Sequence, residues 1–329
     1  MKLVIRTAVA TLATVLAAGS ALAADYTMRL SHQFPPTHHS AKNLEQFAAD
    51  VKANTGGKVE VQTYGAAQLF KPNQHHAAVA GGKIESAAVL SFQWGGTIPE
   101  MNVTIIPYLM SKLDKIKKFP DSDAAKLLNA KLEAKGVKNI AWIVDANDGI
   151  FTSNKAPLIK PEDFKGVKIR GLSKLFDSGL TAMGASPSAM PGSEVYQALQ
   201  TGVIDAAITG VEAAFSRRYY EVQKFGVASP IILAYDNLIV NPAWWDKLPA
   251  DLRKGIEDAA KNAELRALPK TDEIPADDIK VLRDKGMNVT VLTKAQEKAV
   301  ADAMQPSVIK EFNDSSPDGA KLIEMIRRL

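Results

Sequence analysis

The chain predicts an α/β protein of two lobes, on three observations. Strand-like and helix-like segments alternate from residue 26 to residue 144, the pattern that builds parallel strand pairs. The alternation restarts near residue 166. No stretch between the halves is rich enough in Gly, Ser or Pro to form a long linker, so lobes that share strands fit better than two beads on a string. The 329 residues, 46% hydrophobic and 23% charged, suffice for about two domains at roughly 100–200 residues each. That composition excludes a disordered, collagen-like or disulfide-stapled chain.

The elements follow in order. Tyr26–Ser31 reads as a strand and 32–39 as a His/Pro-rich loop. Ser40 is placed to cap a helix whose Leu44, Phe47, Ala48 and Val51 share one face and which Gly56-Gly57 ends. Val59–Tyr64 alternates as a strand does. A helix over 72–81 precedes the apolar strand Ile84–Leu90, and a helix over 121–135 leads to the strand Asn139–Val144. In the second half, Gly166–Arg170 is a strand ending in a cation. Ser173 caps a helix bearing Leu175, Phe176 and Leu180, closed by Gly184. Ser193 caps the next, stopped by Gly202. Val203–Thr209 reads as a strand, 211–223 as a long helix and Pro230–Val240 as strand-like. Helices cover Pro249–Arg266, 273–285 and 294–312.

Residues 1–23 carry the marks of a cleaved secretory signal: Lys2 and Arg6, an uncharged apolar run from Ala8 to Ala18, then Ala21-Leu22-Ala23. The apolar core is too short for a membrane anchor. Removing its two cations, and no acid, takes the formal net charge from +4 to +2, which leaves no electrostatic footprint for nucleic acid. The expected product is a soluble periplasmic protein. With no cysteine, disulfides, thiolate metal sites and cysteine nucleophiles are excluded. There is no P-loop, Gly-x-Gly-x-x-Gly, Gly-x-Ser-x-Gly or His-Glu-x-x-His pattern. Adjacent histidines diverge on a helix, so His38-His39 and His75-His76 read as solvated surface, with no metal and no cofactor implied.

Arg170 ends an apolar strand just before Gly171, where α/β sheets place ligands beyond their strand ends. A guanidinium there can hold a carboxylate through two parallel hydrogen bonds, or pair with a structural acid; spacing alone leaves both open. Asp205 is placed to buttress Arg170 or a backbone turn. Arg217-Arg218 and Tyr219-Tyr220 read as surface or packing residues.

The block from Pro161-Glu-Asp-Phe-Lys-Gly-Val-Lys-Ile-Arg170 through Ser193-Glu-Val-Tyr-Gln-Ala-Leu-Gln-Thr-Gly-Val-Ile-Asp205 to Tyr219-Tyr-Glu-Val-Gln-Lys-Phe225 is the most specific. With Tyr64-Gly-Ala-Ala-Gln-Leu69, Phe151-Thr-Ser-Asn154 and Trp244-Trp-Asp-Lys-Leu-Pro249, it resembles the solute-binding proteins of tripartite ATP-independent periplasmic (TRAP) transporters, the dicarboxylate-binding-protein-like family. The resemblance implies a two-lobed periplasmic binding protein with a hinge, a ligand cleft and a long helix bracing both lobes. It implies a small carboxylate as ligand and the small and large integral membrane subunits of such a transporter as partners. The simplest receptor is a monomer. Boundaries are expected at 24–146 and 235–272 for the first lobe, and 147–234 and 273–329 for the second.

The resemblance also implies that Arg170 holds the ligand carboxylate. Gln33, Phe34, Ser91, Gln93, Trp94, Asp148, Thr209 and Asn237 are further expected pocket residues. Many members carry a second arginine where this chain has Gly149, and an amide where it has Thr209. One carboxylate clamp beside a more apolar pocket is therefore expected, for a monocarboxylate with an apolar or aromatic body stacked on Phe34, Phe92, Trp94 or Phe151. The rival functions are a periplasmic enzyme acting on small organic acids, for which no compact catalytic set is evident, and a receptor presenting a ligand to a signalling protein.

Overall fold

The computed structural model describes residues 24–269 and 274–329; the segment 1–23, expected to be a signal, lies outside the described residues. The first half contains β1 (Tyr26–Ser31), α1 (His39–Asn54), β2 (Val59–Tyr64), α2 (His75–Ala80), β3 (Ser86–Leu90), α3 (Leu113–Lys118), α4 (Asp123–Ala134) and β4 (Lys138–Ala146). The chain then enters β5 (Gly149–Ser153), β6 (Lys168–Gly171), α5 (Lys174–Ala182), β7 (Ser186–Ala189), α6 (Gly192–Gln200), β8 (Ala206–Thr209), α7 (Val211–Ser216) and β9 (Phe225–Ser229). It continues with β10 (Ala234–Val240), α8 (Pro242–Trp245), α9 (Ala250–Ala267), α10 (Ala276–Asp284), β11 (Asn288–Val291), α11 (Lys294–Ser315) and α12 (Gly319–Arg327).

Two mixed sheets result, ordered β2-β1-β3-β10-β4 and β11-β9-β5-β8-β6-β7. β1 pairs parallel with β2 and β3, while β10 runs antiparallel between β3 and β4. In the second sheet β5 is antiparallel to both neighbours, and β6 is parallel to β7 and β8. The chain therefore crosses between sheets at Asn147–Asp148 and returns at Pro230–Leu233. One buried core runs through both lobes, joining Leu30 and Leu44 to Ile169 and Ile208.

α9 lays Leu252, Ile256, Ala259 and Ala263 against α1 and β4. The bracing helix is α11. It packs on α5 of the second lobe and on residues 99–105 of the first, and Gln305 Nε2 donates to Pro107 O at 2.7 Å. Thr293 and Gln296 close its N-terminus as a reciprocal capping box. α12 packs against α11, α4 and residues 99–105. No helix of the described residues is long and apolar enough to cross a membrane.

Three expectations about local structure are corrected. The helix expected over 211–223 stops at Ser216, because Arg218 adopts a left-handed conformation (φ 60°) and breaks the hydrogen-bond ladder. Pro191, not Ser193, caps α6. The N-terminus of α1 is capped by His38, whose Nδ1 accepts from Ser40 N at 3.1 Å.

Gly149 opens β5 opposite Ser229. A Cβ there would lie 2.6 Å from Ile231 Cγ2 and 3.0 Å from Ile208 Cδ1. No arginine side chain fits at this place without displacing the core. Gly149→Ala is expected to destabilise the protein by about 1–3 kcal/mol through overpacking, read as a lower urea midpoint; an unchanged midpoint contradicts this packing.

Candidate ligand site between the lobes

β6 carries Arg170 beside Ala207 of β8 and Ser188 of β7, with Ile169 and Phe176 buried alongside in the core. Arg170 is only 2% exposed. Its Nε donates to Met190 O at 3.1 Å and its Nη1 to Ile208 O at 2.5 Å. Of a guanidinium's five N–H donors these bonds use two. Burial draws its pKa down to about 10, with Arg217 pushing the same way and Tyr219 and Asp177 opposing, so it stays charged at neutral pH. No carboxylate pairs with it among the described residues.

Asp205 is occupied elsewhere, accepting from Lys168 N at 3.4 Å and pairing with Lys155 at 3.4 Å. It supports the backbone turn and does not buttress Arg170.

The lobes touch across the cleft. Thr37 Oγ1 donates to Ser216 O at 3.3 Å, and Lys71 faces Glu194 at 3.8 Å. Two cavities flank the segment 189–193. One of about 530 Å³ is walled by Phe92 and Gln93 from the first lobe and by Leu172 and Met190 from the second. One of about 330 Å³ lies between Gln33 and Pro35 on one side and Gly192, Ser216 and Arg217 on the other.

Around this cleft, buried polar atoms from both lobes find no hydrogen-bond partner among the described residues. Among residues lining the two cavities they include both amide atoms of Gln33 and of Gln93, Asn102 Oδ1, and Nε and Nη2 of Arg217; Asp236 Oδ1 and the Tyr219 hydroxyl are also unpartnered but line neither cavity. Each buried unsatisfied group costs about 1–3 kcal/mol, so a concentration of them marks a place where a polar ligand is received. The Arg217 charge acts on Arg170, Tyr219 and Asp236, which places these four groups in one electrostatic neighbourhood. Burial raises the Asp236 carboxyl well above the ordinary range, as does nearby Asp145, while Arg217 pulls the other way.

The remaining expected residues scatter. Phe34 is fully buried, its ring against His32 and His38 at 5.7 and 4.7 Å. Ser91 Oγ lies 3.1 Å from Thr104 Oγ1 inside the first lobe. Trp94 packs on His76 at 5.0 Å, and Phe151 packs edge-on against Phe164 at 4.9 Å in the core. Asn237 is buried and unpartnered, but shares its face of β10 with Tyr235 and Ile239 and so points into the second core of the first lobe. Thr209 ends β8 opposite Ile150 and is 4% exposed. Asp148 accepts from Val211 N at 2.9 Å, holding the start of α7 beside a separate cavity of about 200 Å³. Of the four aromatic rings expected to stack on a ligand, Phe92 alone lines the cleft cavities; the other three complete the cores.

Tyr219 is a core residue, the packing role expected of it. Sequence reasoning did not single out the buried polar atoms of Arg217 and Asp236: Arg217 looks like the polar face of a long helix, and only the left-handed turn at Arg218 swings it inward. Its guanidinium occupies space left by Gly192, where a Cβ would stand 2.8 Å from Cζ.

One histidine of each pair departs from the solvated surface expected: His38 and His75 are buried, as is His32, whereas His39 and His76 are half-buried; burial lowers the pKa of the buried three, to about 4 for His32 and His75. His38 and His39 converge on Glu212, at 3.4 and 3.8 Å. These three groups have the proximity of metal ligands. The bond from Ser40 N to His38 Nδ1, however, assigns the proton to Nε2, which presents a donor to Glu212 rather than a lone pair to a metal.

Two lobes crossed by shared chain segments, braced by one helix and closing on a cleft of unpartnered polar groups, define a two-lobed binding protein. The family model for DctP, bacterial extracellular solute-binding protein family 7, matches residues 30–315, and the chain belongs to that family. It is 31% identical over 309 residues to the C4-dicarboxylate-binding periplasmic protein DctP of Rhodobacter capsulatus, covering 93% of this chain and 92% of that protein. It is 28% identical over 310 residues to the 2,3-diketo-L-gulonate-binding periplasmic protein YiaO of Escherichia coli, covering 93% of each. Among solved structures, a TRAP periplasmic solute-binding protein from Desulfovibrio salexigens with bound orotic acid superposes with a TM-score of 0.86 at 29% identity, over 92% of this chain and 98% of that one. One from Sulfurospirillum deleyianum with bound succinate gives 0.84 at 27% identity, over 92% and 99%. The family is one of periplasmic receptors that bind small molecules and work with membrane components.

Burial pushes the Glu212 carboxyl up to about 7; His39 and Arg217 oppose the shift and Asp145 adds to it. The folded protein therefore holds this proton more tightly than the unfolded chain, whose carboxyl titrates near 4.5. The stability it contributes is present below that value and is lost as pH rises towards 7. Replacing Glu212 with Gln removes the effect. The melting temperature of the native protein minus that of Glu212→Gln should fall across this window, and a pH-independent difference contradicts the assignment.

Proposed function

We propose that the protein is the periplasmic receptor of a TRAP-type uptake system, exported by its N-terminal signal, and that it captures a small organic acid with one carboxylate on Arg170. The observation that carries this reading is Arg170 itself: a buried guanidinium at a strand end, held by two main-chain carbonyls and forming no ion pair with an acid among the described residues, Asp177 being a weak counter-charge. A ligand carboxylate supplies the missing counter-charge through charge-assisted hydrogen bonds. Closure of the lobes then removes the pair from water and strengthens it.

Gln33 and Gln93 supply amides that both donate and accept. They favour a ligand whose body carries oxygen atoms, in place of the purely apolar or aromatic body that stacking on Phe34, Trp94 and Phe151 would need. The receptor acts as a monomer, without cofactor, and binds its ligand without turnover. The small and large integral membrane subunits receive the acid from the closed form.

The test is a thermal-shift screen of the mature protein against a library of organic acids, in which a ligand at a hundredfold excess over Kd adds about 2.7 kcal/mol of stability. Arg170→Ala should cost on the order of 2–5 kcal/mol of binding. Arg170→Lys should recover only part, because an ammonium lacks the planar fork. Unaltered affinity in Arg170→Ala would overturn the reading.

A further inference from the structure

The lobes also meet at a cluster of titratable groups that ligand capture leaves unused. The side chain of His38, at the start of α1, is 1% exposed, and its Nε2 has no hydrogen-bond partner. That nitrogen lies 3.4 Å from Glu212 Oε2 on α7 of the second lobe and 3.9 Å from Asp145 Oδ1 on β4 of the first. Ser40 N occupies the other ring nitrogen, so a single N–H faces two carboxyl groups, one from each lobe. One turn along α7 from Glu212, Ser216 O accepts from Thr37 Oγ1 at 3.3 Å, a second tie between the same two elements.

The surroundings are acidic. Asp145, Asp148, Glu212 and Asp278 line one cavity of about 200 Å³ where the chain crosses between the sheets, and His39 is the one base among its described lining residues. Asp145 accepts from Ser40 Oγ at 2.8 Å and Asp148 from Val211 N at 2.9 Å, so both carboxyls are held in place. The charged groups around Glu212 are therefore His38 and His39 of α1, Asp145 of β4, Asp148 at the crossing and Asp278 of α10. Arg217 follows on its own helix, and Asp236 of β10 adjoins Asp145.

Two carboxylates that converge on one N–H in an interface poor in water are costly to ionise together. Glu212 is the one that takes up the proton, since burial raises its carboxyl and Asp145 adds to the effect. Separating the lobes removes His38 and Asp145 with the first lobe and returns Glu212 to water.

We propose that His38, Asp145 and Glu212 form a proton-dependent latch between the lobes, which holds the closed form while Glu212 is neutral and releases it when Glu212 and Asp145 are both ionised. His38 is its positioning residue. Nδ1 caps α1, the ring rests on Phe34 at 4.7 Å beside Gln33, and Nε2 meets the second lobe. Closure takes up a proton, so acid favours the closed form, and that preference fades as pH rises through about 7. The latch acts whichever acid Arg170 receives.

The chain has no cysteine, so Lys52→Cys on α1 and Gln200→Cys on α6, both exposed, accept a donor and an acceptor dye. Single-molecule energy transfer then reads the ratio of closed to open lobes in the ligand-free mature protein. Between pH 6 and pH 8 that ratio is expected to fall about tenfold, for a carboxyl near 7 when closed and near 4.5 when open. Glu212→Gln mimics the neutral acid and should keep the lobes as closed at the higher pH as at the lower. Asp145→Asn removes the repelling charge and should lessen the fall. His38→Asn keeps a capping side chain that does not reach the acids, and should favour the open form under acid conditions.

A native ratio that changes by less than about twofold across this window overturns the latch. So does a pH dependence that survives unchanged in Glu212→Gln, which leaves that residue a structural role alone. Failure of the latch does not touch the receptor reading, which the Arg170 variants decide, since none of these substitutions alters a group bonded to Arg170.

Discussion

Burying a guanidinium without its own counter-ion is the constraint around which this structure is arranged. Arg170 stays protonated despite full burial, and it satisfies two donors on the carbonyls of Met190 and Ile208. Those carbonyls belong to the segment between β7 and α6 and to β8, so the charge also fixes the wall between the two cleft cavities. A carboxylate of the protein could neutralise Arg170 permanently. Asp205 is turned away to Lys168 and Lys155, and Asp177, buried to a pKa of about 7, is a weak counter-charge. Among the described residues Arg170 is thus left without a strong counter-charge.

The topology makes this incompleteness reversible. The sheets exchange chain at Asn147–Asp148 and Pro230–Leu233, so each lobe contributes one wall and neither wall satisfies the other. Gln33 and Gln93 come from loops and turns at strand ends of the first sheet, whereas Arg170 and Arg217 come from the second lobe. α11 touches both lobes and keeps them in register. Asp148 sits at one crossing and, through Val211 N, ties that crossing to the start of α7, the short helix that Arg217 follows.

Much of the fold was legible because it depends on local signals. The period-2 strands at 26–31 and 59–64, the serine cap at 173 and the apolar faces of α1 and α5 all describe chain segments whose partners scarcely matter. Arg170 was legible as a cation closing an apolar strand, but spacing left a ligand clamp and a structural ion pair equally open, and only the resemblance favoured the ligand. What was hidden depends on tertiary context. The helix over 211–223 has acceptable helical propensity throughout, and the left-handed conformation that turns Arg217 inward is a property of one residue in the folded chain. Gly192 and Gly149 look alike in the sequence, yet one admits a guanidinium and the other excludes any side chain. Asn237 and Asp236 are adjacent, and strand alternation sends them to opposite faces of the first sheet, each against a different buried core. The histidines show the same limit: in a loop beside two prolines they read as solvated, and packing by Phe34 buries two of them.

The central claim, that one carboxylate of a small acid completes the charge of Arg170 between closed lobes, is tested most directly by a crystal structure of the protein grown with the tightest-binding acid. The account predicts a carboxylate within hydrogen-bond distance of the Arg170 guanidinium, enclosed by groups of both lobes that include Gln33 or Gln93. An acid seated elsewhere, with Arg170 still bonded only to Met190 and Ile208, would contradict it.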